Sequence, residues 1–231
     1  MKNVRSINIT PEFIAQHKLS TAPPPAGSLF WIMWNDCTAI AQSAFETDFI
    51  QGIGAGMLDP VKYGGFNVSD AYYCFNGAQD YLTAESQATD PVLKAFLWKK
   101  YSSYQNYNQT FPTIWHIRDA SGIVPISVCA AYSAFESNVA SHYLPIYCLT
   151  TMIPCEFLWY WLASQLPPPA PQNLYGSWIT GNNSPDGSYA MGNFLNDYMN
   201  NNPGIVDPNI ATQLYTQAMN YEMQNFKAAT L

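Results

Sequence analysis

Five times along this chain a short polar residue stands directly before a proline that opens a periodic run. The pairs are Thr10-Pro11, Asp59-Pro60, Asp90-Pro91, Ser184-Pro185 and Asp207-Pro208. A proline at the first helical position forfeits no hydrogen bond, and the side chain before it can accept from the orphan N–H groups of the first turn. Helix-stopping stretches separate these starts: Gly52-Ile53-Gly54-Ala55-Gly56, Pro167-Pro168-Pro169, Gly181 and Asn202-Pro203-Gly204. The pattern predicts helices over 28–53, 60–88, 91–109, 125–140, 144–166, 185–201 and 208–228. Residue-by-residue alternation, the mark of strands, is nearly absent. The expectation is an all-α bundle around a central cavity or core, one domain over 1–231 with residues 1–27 irregular. Pro167 to Pro171 reads as a stiff surface linker.

Within that pattern, Met152 to Trp161 is the most distinctive segment. Cys148, Met152, Cys155, Trp159, Leu162 and Leu166 recur at steps of three or four and share one helical face. Pro154 removes a backbone donor and presses its ring toward the carbonyl of Thr150, so a kink is expected beside Cys155. A kinked apolar helix presenting a thiol suits a ligand pocket; it equally suits a core helix, since a buried cysteine is a common core residue.

Charge and composition narrow the partners. Charged residues make up 11% of the chain and aromatics 15%, with 16 Tyr and 7 Trp, which implies an aromatic-lined cavity, a large core or a subunit interface. The net charge is −7, and Lys99-Lys100 is the longest basic run, which argues against nucleic acid and anionic membranes as partners. Charged, polar and proline residues interrupt the apolar stretch from Ile123 to Leu166, so no membrane span is expected. The five cysteines form no Cys-x-x-Cys pair and no secretory leader opens the chain, so reduced thiols in a cytoplasmic protein are expected. His17, His116 and His142 are scattered and no Glu-x-x-His pair occurs. No metal site or cofactor is therefore expected, and haem ligation through His17 has only an isolated histidine behind it.

A thiol and carboxylates on apolar helices remain. Leu214, Ala218, Glu222 and Phe226 share a face, and so do Asp70, Tyr73, Cys74, Gly77 and Tyr81. A thiol nucleophile, a carboxyl proton donor and a second carboxylate as ligand anchor make a workable hydrolytic set. Each group also has a plainer reading, as a solvated glutamate or as an acceptor for a core tyrosine, and spacing alone does not bring the three together.

Several phrases resemble the TenA/thiaminase II family. Phe49 to Leu58, followed by Ser69-Asp70-Ala71-Tyr72-Tyr73, resembles its F-x-Q-x-I-x-x-G-x-L opening and later Q-D-x-x-Y. Met152 to Tyr160 is similar to its L-P-C-x-W-x-Y helix, Tyr175 to Ile179 to its Y-x-x-W-I turn, and Tyr221 to Phe226 to its closing Y-E-x-x-F-W. The matches run in the family's order from about residue 45 to 228. The resemblance implies a haem-oxygenase-like fold, a homo-oligomer (tetramer or dimer), and hydrolysis of a small aminopyrimidine in thiamin salvage. It assigns Cys155 as nucleophile, Glu222 as acid and then base, and Asp70 as anchor for the ring nitrogen and amino group. Tyr73 would hydrogen-bond the nucleophile and Tyr132 would line or stack on the ring.

Trp159 and Asn182 stand where the family has tyrosines and would line the same substrate site. Glu156 adds a carboxylate beside the cysteine, and Gln79-Asp80-Tyr81 offers a second candidate for the role of Asp70. Two alternatives follow from these departures. One is a related hydrolase or heterocycle binder with a changed substrate; the other is a non-enzymatic regulatory protein of the same fold.

Overall fold

The computed structural model describes residues 10–16 and 19–231. The described residues form helices and connecting turns with no strand: α1 (Pro11–Gln16), α2 (Leu29–Asp36), α3 (Thr38–Phe45), α4 (Asp48–Ala55), α5 (Pro60–Gln87), α6 (Pro91–Asn108), α7 (Thr110–Trp115), α8 (Ser127–His142), α9 (Tyr147–Gln165), α10 (Gly176–Gly181), α11 (Asp186–Asn201) and α12 (Pro208–Ala228). Three of the predicted starts are capped as the sequence indicates. Asp59 accepts from the N–H of Val61, Asp90 from those of Val92 and Leu93, and Asp207 from that of Asn209, all at 2.8–2.9 Å. Each such cap contributes about 1 kcal/mol. Before α11, Ser184 Oγ accepts from the N–H of Asp186 at 3.3 Å, and the helix opens one residue later than expected.

The expected helix over 28–53 is three shorter ones. At Cys37 the N–H turns back to the Trp34 carbonyl and the backbone leaves the helical region (φ −109°, ψ 7°). At Thr47 the hydroxyl donates to the Ala44 carbonyl and accepts from the N–H of Ile50, closing one helix and capping the next. A side-chain bond such as that of Thr47 competes with helix continuation, and apolar periodicity does not register it. Gly56 ends α4 in the left-handed region (φ 68°), where a glycine carries no Cβ penalty. The segment expected to be irregular contains α1, and α7 and α10 were not expected as separate helices.

α9 is the axis of the bundle. It packs against α12, α11 and α8, while α5 lies along both α6 and α8. Tyr147 to Pro154 are all buried, as are Phe157, Leu158 and Leu162, which is why the segment is apolar nearly all round rather than on one stripe. α9 continues across Pro154 to Gln165. Beneath Trp159, Phe66 of α5, Phe49 of α4 and Phe226 of α12 form an aromatic layer with ring centroids 4.4–5.9 Å apart. Burying each such side chain stabilises the fold by about 1.5–3 kcal/mol, and the layer pins three helices to the back of one residue in the cavity wall.

Candidate active site

The cavity, about 290 Å³, opens between α5, α6, α8, α9, α12 and the end of α10. Helical spacing explains its walls. Asp70, Tyr73 and Cys74 project from one stripe of α5; Lys100, Tyr104 and Tyr107 from α6 at intervals of four and three; Cys155, Glu156 and Trp159 from α9; Glu222 and Asn225 from one face of α12. All seven residues singled out in the sequence, Asp70, Tyr73, Tyr132, Cys155, Trp159, Asn182 and Glu222, line this cavity.

The thiol of Cys155 lies 3.2 Å from Tyr104 Oη. Burial holds it well above its ordinary range, the nearby carboxyls of Glu222 and Glu156 push it further, and the Tyr104 hydrogen bond opposes them. The resting sulfur is therefore a neutral thiol that must give up its proton to react. Gly77 of α5 leaves room beside this phenol: a Cβ there would sit 3.3 Å from the Tyr104 ring, close enough to nudge it.

Two cavity carboxyls are tuned to the neutral range. Burial raises Glu222 to about 7, moderated by the indole N–H of Trp159, which donates to Glu222 Oε2 at 3.0 Å, and raised again by the charge of Asp70. Burial also lifts Asp70 to about 7, against a weak hydrogen bond from the Cys74 thiol at 3.8 Å. Near neutral pH each carboxyl is poised to take or release a proton, as general acid–base chemistry requires. The extra acid, Glu156, is ion-paired with Lys100 at the cavity rim. Its carboxylate lies over Gly187 of α11, where any Cβ would collide with Oε2.

One expectation is corrected. Tyr73 does not hydrogen-bond the thiol; its hydroxyl donates to Glu136 Oε1 at 2.9 Å, and Tyr104 takes the position beside sulfur. Asp80, the competitor of Asp70, does not line the cavity and accepts from Ser137 Oγ at 2.7 Å between α5 and α8. Tyr132 stacks against Tyr73 and Tyr221, with centroids 4.9 and 5.5 Å away, so part of its ring surface is already engaged by protein. Asn182 donates back to the Trp178 carbonyl at 2.8 Å, which fixes its amide at the cavity edge. His17 lies outside the described residues, and among them no cluster of three or more His, Cys, Asp or Glu is arranged to hold a metal. No helix among them is long and apolar enough to cross a membrane.

Sequence reasoning missed Lys100, Tyr104 and Asn225. The first two share a face with Tyr107, a stripe visible at positions 100, 104 and 107, but no motif marked α6. Asn225 is one helical turn beyond Glu222 and almost fully buried, and its Oδ1 meets no hydrogen-bond partner among the described residues. An unpaired acceptor in a cavity wall is costly unless a ligand donor meets it.

No protein-family profile and no curated protein sequence matches the chain. Solved structures do. A TenA homologue from P. horikoshii OT3 superposes with a TM-score of 0.73 at 18% identity, covering 87% of this chain and 98% of that one. A TenA family transcription regulator from Silicibacter sp. TM1040 gives 0.70 at 15% identity over 89% and 98%. A Sulfolobus solfataricus protein designated a TenA-like thiaminase gives 0.63 at 14% over 86% and 94%. These superpositions show that this chain has the all-α, haem-oxygenase-like fold of the TenA proteins.

Proposed function

We propose that the chain is an aminopyrimidine hydrolase of the thiaminase II type, serving thiamin salvage. The observation that carries the reading is the convergence on one cavity of a thiol, Cys155, with two carboxyls, Asp70 and Glu222, each poised near neutrality. Asp70 anchors the ring nitrogen and amino group of the flat heterocycle. Cys155 gives its proton to the Glu222 carboxylate as sulfur bonds to an electrophilic ring carbon. Glu222 then passes that proton to the amine as its C–N bond breaks. The same carboxylate takes a proton from water, the hydroxyl adds where the amine left, and as the sulfur–ring bond breaks Glu222 returns that proton to sulfur, regenerating the thiol and the carboxylate. Tyr104 donates to the sulfur whenever it carries negative charge.

The test is ammonia release from 4-amino-5-aminomethyl-2-methylpyrimidine, with thiamin alongside. The wild type is expected to turn over and Cys155→Ser to fall by at least about a hundredfold, the scale of losing a catalytic group. Silence from both proteins ends this reading for that substrate.

A second reading, a hydrolase or binder for a different heterocycle, is favoured by Trp159 and Asn182. The indole already occupies one oxygen of Glu222, and an amide stands where the resemblance has a phenol. It predicts thermal stabilisation by pyrimidines lacking the aminomethyl group and none by the aminomethyl compound. Self-association belongs to the proposal as well. Met57, Val61 and Leu174 are exposed apolar side chains available to such a contact, which sedimentation would reveal.

A further inference from the structure

Behind the cavity wall lies a carboxyl that the proposed reaction does not use. Glu136 of α8 is 1% exposed, accepts from the Tyr73 hydroxyl at 2.9 Å, and its Oε2 meets no hydrogen-bond partner among the described residues. The titratable groups around it are Tyr73, Tyr81 and Asp80 from α5, Tyr132 and Cys129 from its own helix, Cys148 and Cys155 from α9, and Glu222 from α12. Burial and the adjacent Asp80 push its carboxyl far above the usual range, so it holds a proton and is neutral. The Tyr73 hydroxyl also touches Met152 Sδ at 4.0 Å, one turn before Cys155 on α9, and Tyr73 and Cys155 line the same cavity.

We propose that Glu136 is a positioning residue: by accepting the Tyr73 hydroxyl proton it withholds that donor from Cys155, so Tyr104 serves the sulfur and Tyr73 offers the cavity only oxygen lone pairs. A phenol fixed as an acceptor favours a ligand that brings an N–H to that wall, as an amino-substituted heterocycle does. The inference rests on Cys155 being the nucleophile of the proposed hydrolase, but its geometry concerns the thiol in the unliganded protein.

The test therefore needs no turnover. The rate at which iodoacetamide alkylates Cys155, followed by peptide mass against pH, reports how the thiolate is stabilised. In Glu136→Leu the freed Tyr73 hydroxyl turns to the sulfur, and the profile should move down by about one pH unit, a tenfold faster reaction on its rising limb. Glu136→Gln keeps an acceptor for the phenol and should leave the profile in place. In a Tyr73→Phe background, Glu136→Leu should shift nothing. An unshifted profile in Glu136→Leu overturns the proposal, and so does an equal shift in the Tyr73→Phe background, because the effect would then not pass through the phenol. Should Glu136→Leu fail to fold, single variants decide. Tyr104→Phe should raise the profile and Tyr73→Phe should not; equal rises would overturn the assignment. Failure of the hydrolase reading shows instead as absent ammonia release, independent of these rates.

Discussion

The molecule buries its interior in two chemically different ways. The larger core, running from Met33 and Phe49 through Ile153 and Leu158 to Phe226, is built mostly of aliphatic and aromatic side chains; it holds thiols and phenols such as Cys148, Tyr81 and Tyr215 but no carboxyl. The smaller cluster, fringed by Cys155, is built from Tyr73, Cys74, Phe111, Cys129 and Tyr132 and opens on the cavity. Removal from water stabilises the first directly. In the second the same removal forces protons onto thiols and carboxyls, lifting Cys155, Glu136, Glu222 and Asp70 together. One region holds the fold together, and the other stores protons at some expense to stability.

That division fails if a core residue can be removed cheaply. Phe66 is 2% exposed and packs against Phe49, Phe226 and Trp159. Phe66→Ala should lower the unfolding free energy by about 3–5 kcal/mol in urea titrations, and a loss under about 1 kcal/mol would break the comparison. The cavity should respond in the opposite sense. Glu222→Gln should cut turnover by about a hundredfold or more while the protein stays as stable as the wild type or gains, because an ionisable buried carboxyl is replaced by a neutral amide. Asp70→Asn should act on KM instead, raising it by about tenfold through one lost charged hydrogen bond. If both variants merely weakened binding by the same factor, the acid and anchor roles would be wrong.

How much of this was legible in the sequence follows the same division. The Asp-Pro starts located α5, α6 and α12 to within a residue at each end, because a cap and its proline are local chemistry. Apolar spacing makes 28–53 one helix, whereas the chain breaks at Cys37 and Thr47 through bonds that hydrophobic spacing does not carry. For the cavity, periodicity put Asp70 with Tyr73 on one face and Glu222 with Phe226 on another, and the family resemblance grouped them with Cys155. Neither source could show what each face opposes. Tyr104 lay on a helix without a motif, so the thiol's partner was assigned to Tyr73. Glu136, read only as an interruption of an apolar stretch, is the acceptor that draws Tyr73 away.

The gentlest probe of the comparison is Asp80, which shares the protonation behaviour of the smaller cluster without lining the cavity. It is 4% exposed, Ser137 donates to one of its oxygens, and burial lifts its carboxyl from 3.8 to about 7. Because the folded value exceeds the unfolded one, the native state binds more protons between about pH 4 and 7. Stability should therefore fall as pH rises through that window and level off above it. Asp70 and Glu222 contribute with the same sign. Asp80→Asn is neutral at every pH and should flatten part of the slope, matching the wild type near pH 4 and exceeding it by up to about 4 kcal/mol at pH 8 in urea titrations. A variant that keeps the full slope would show Asp80 already ionised in the folded state, with Glu136 then facing a charge. Because the substitution leaves the cavity wall intact, a flattened slope with unchanged turnover would show that the cost of buried protons and the chemistry they support can be separated.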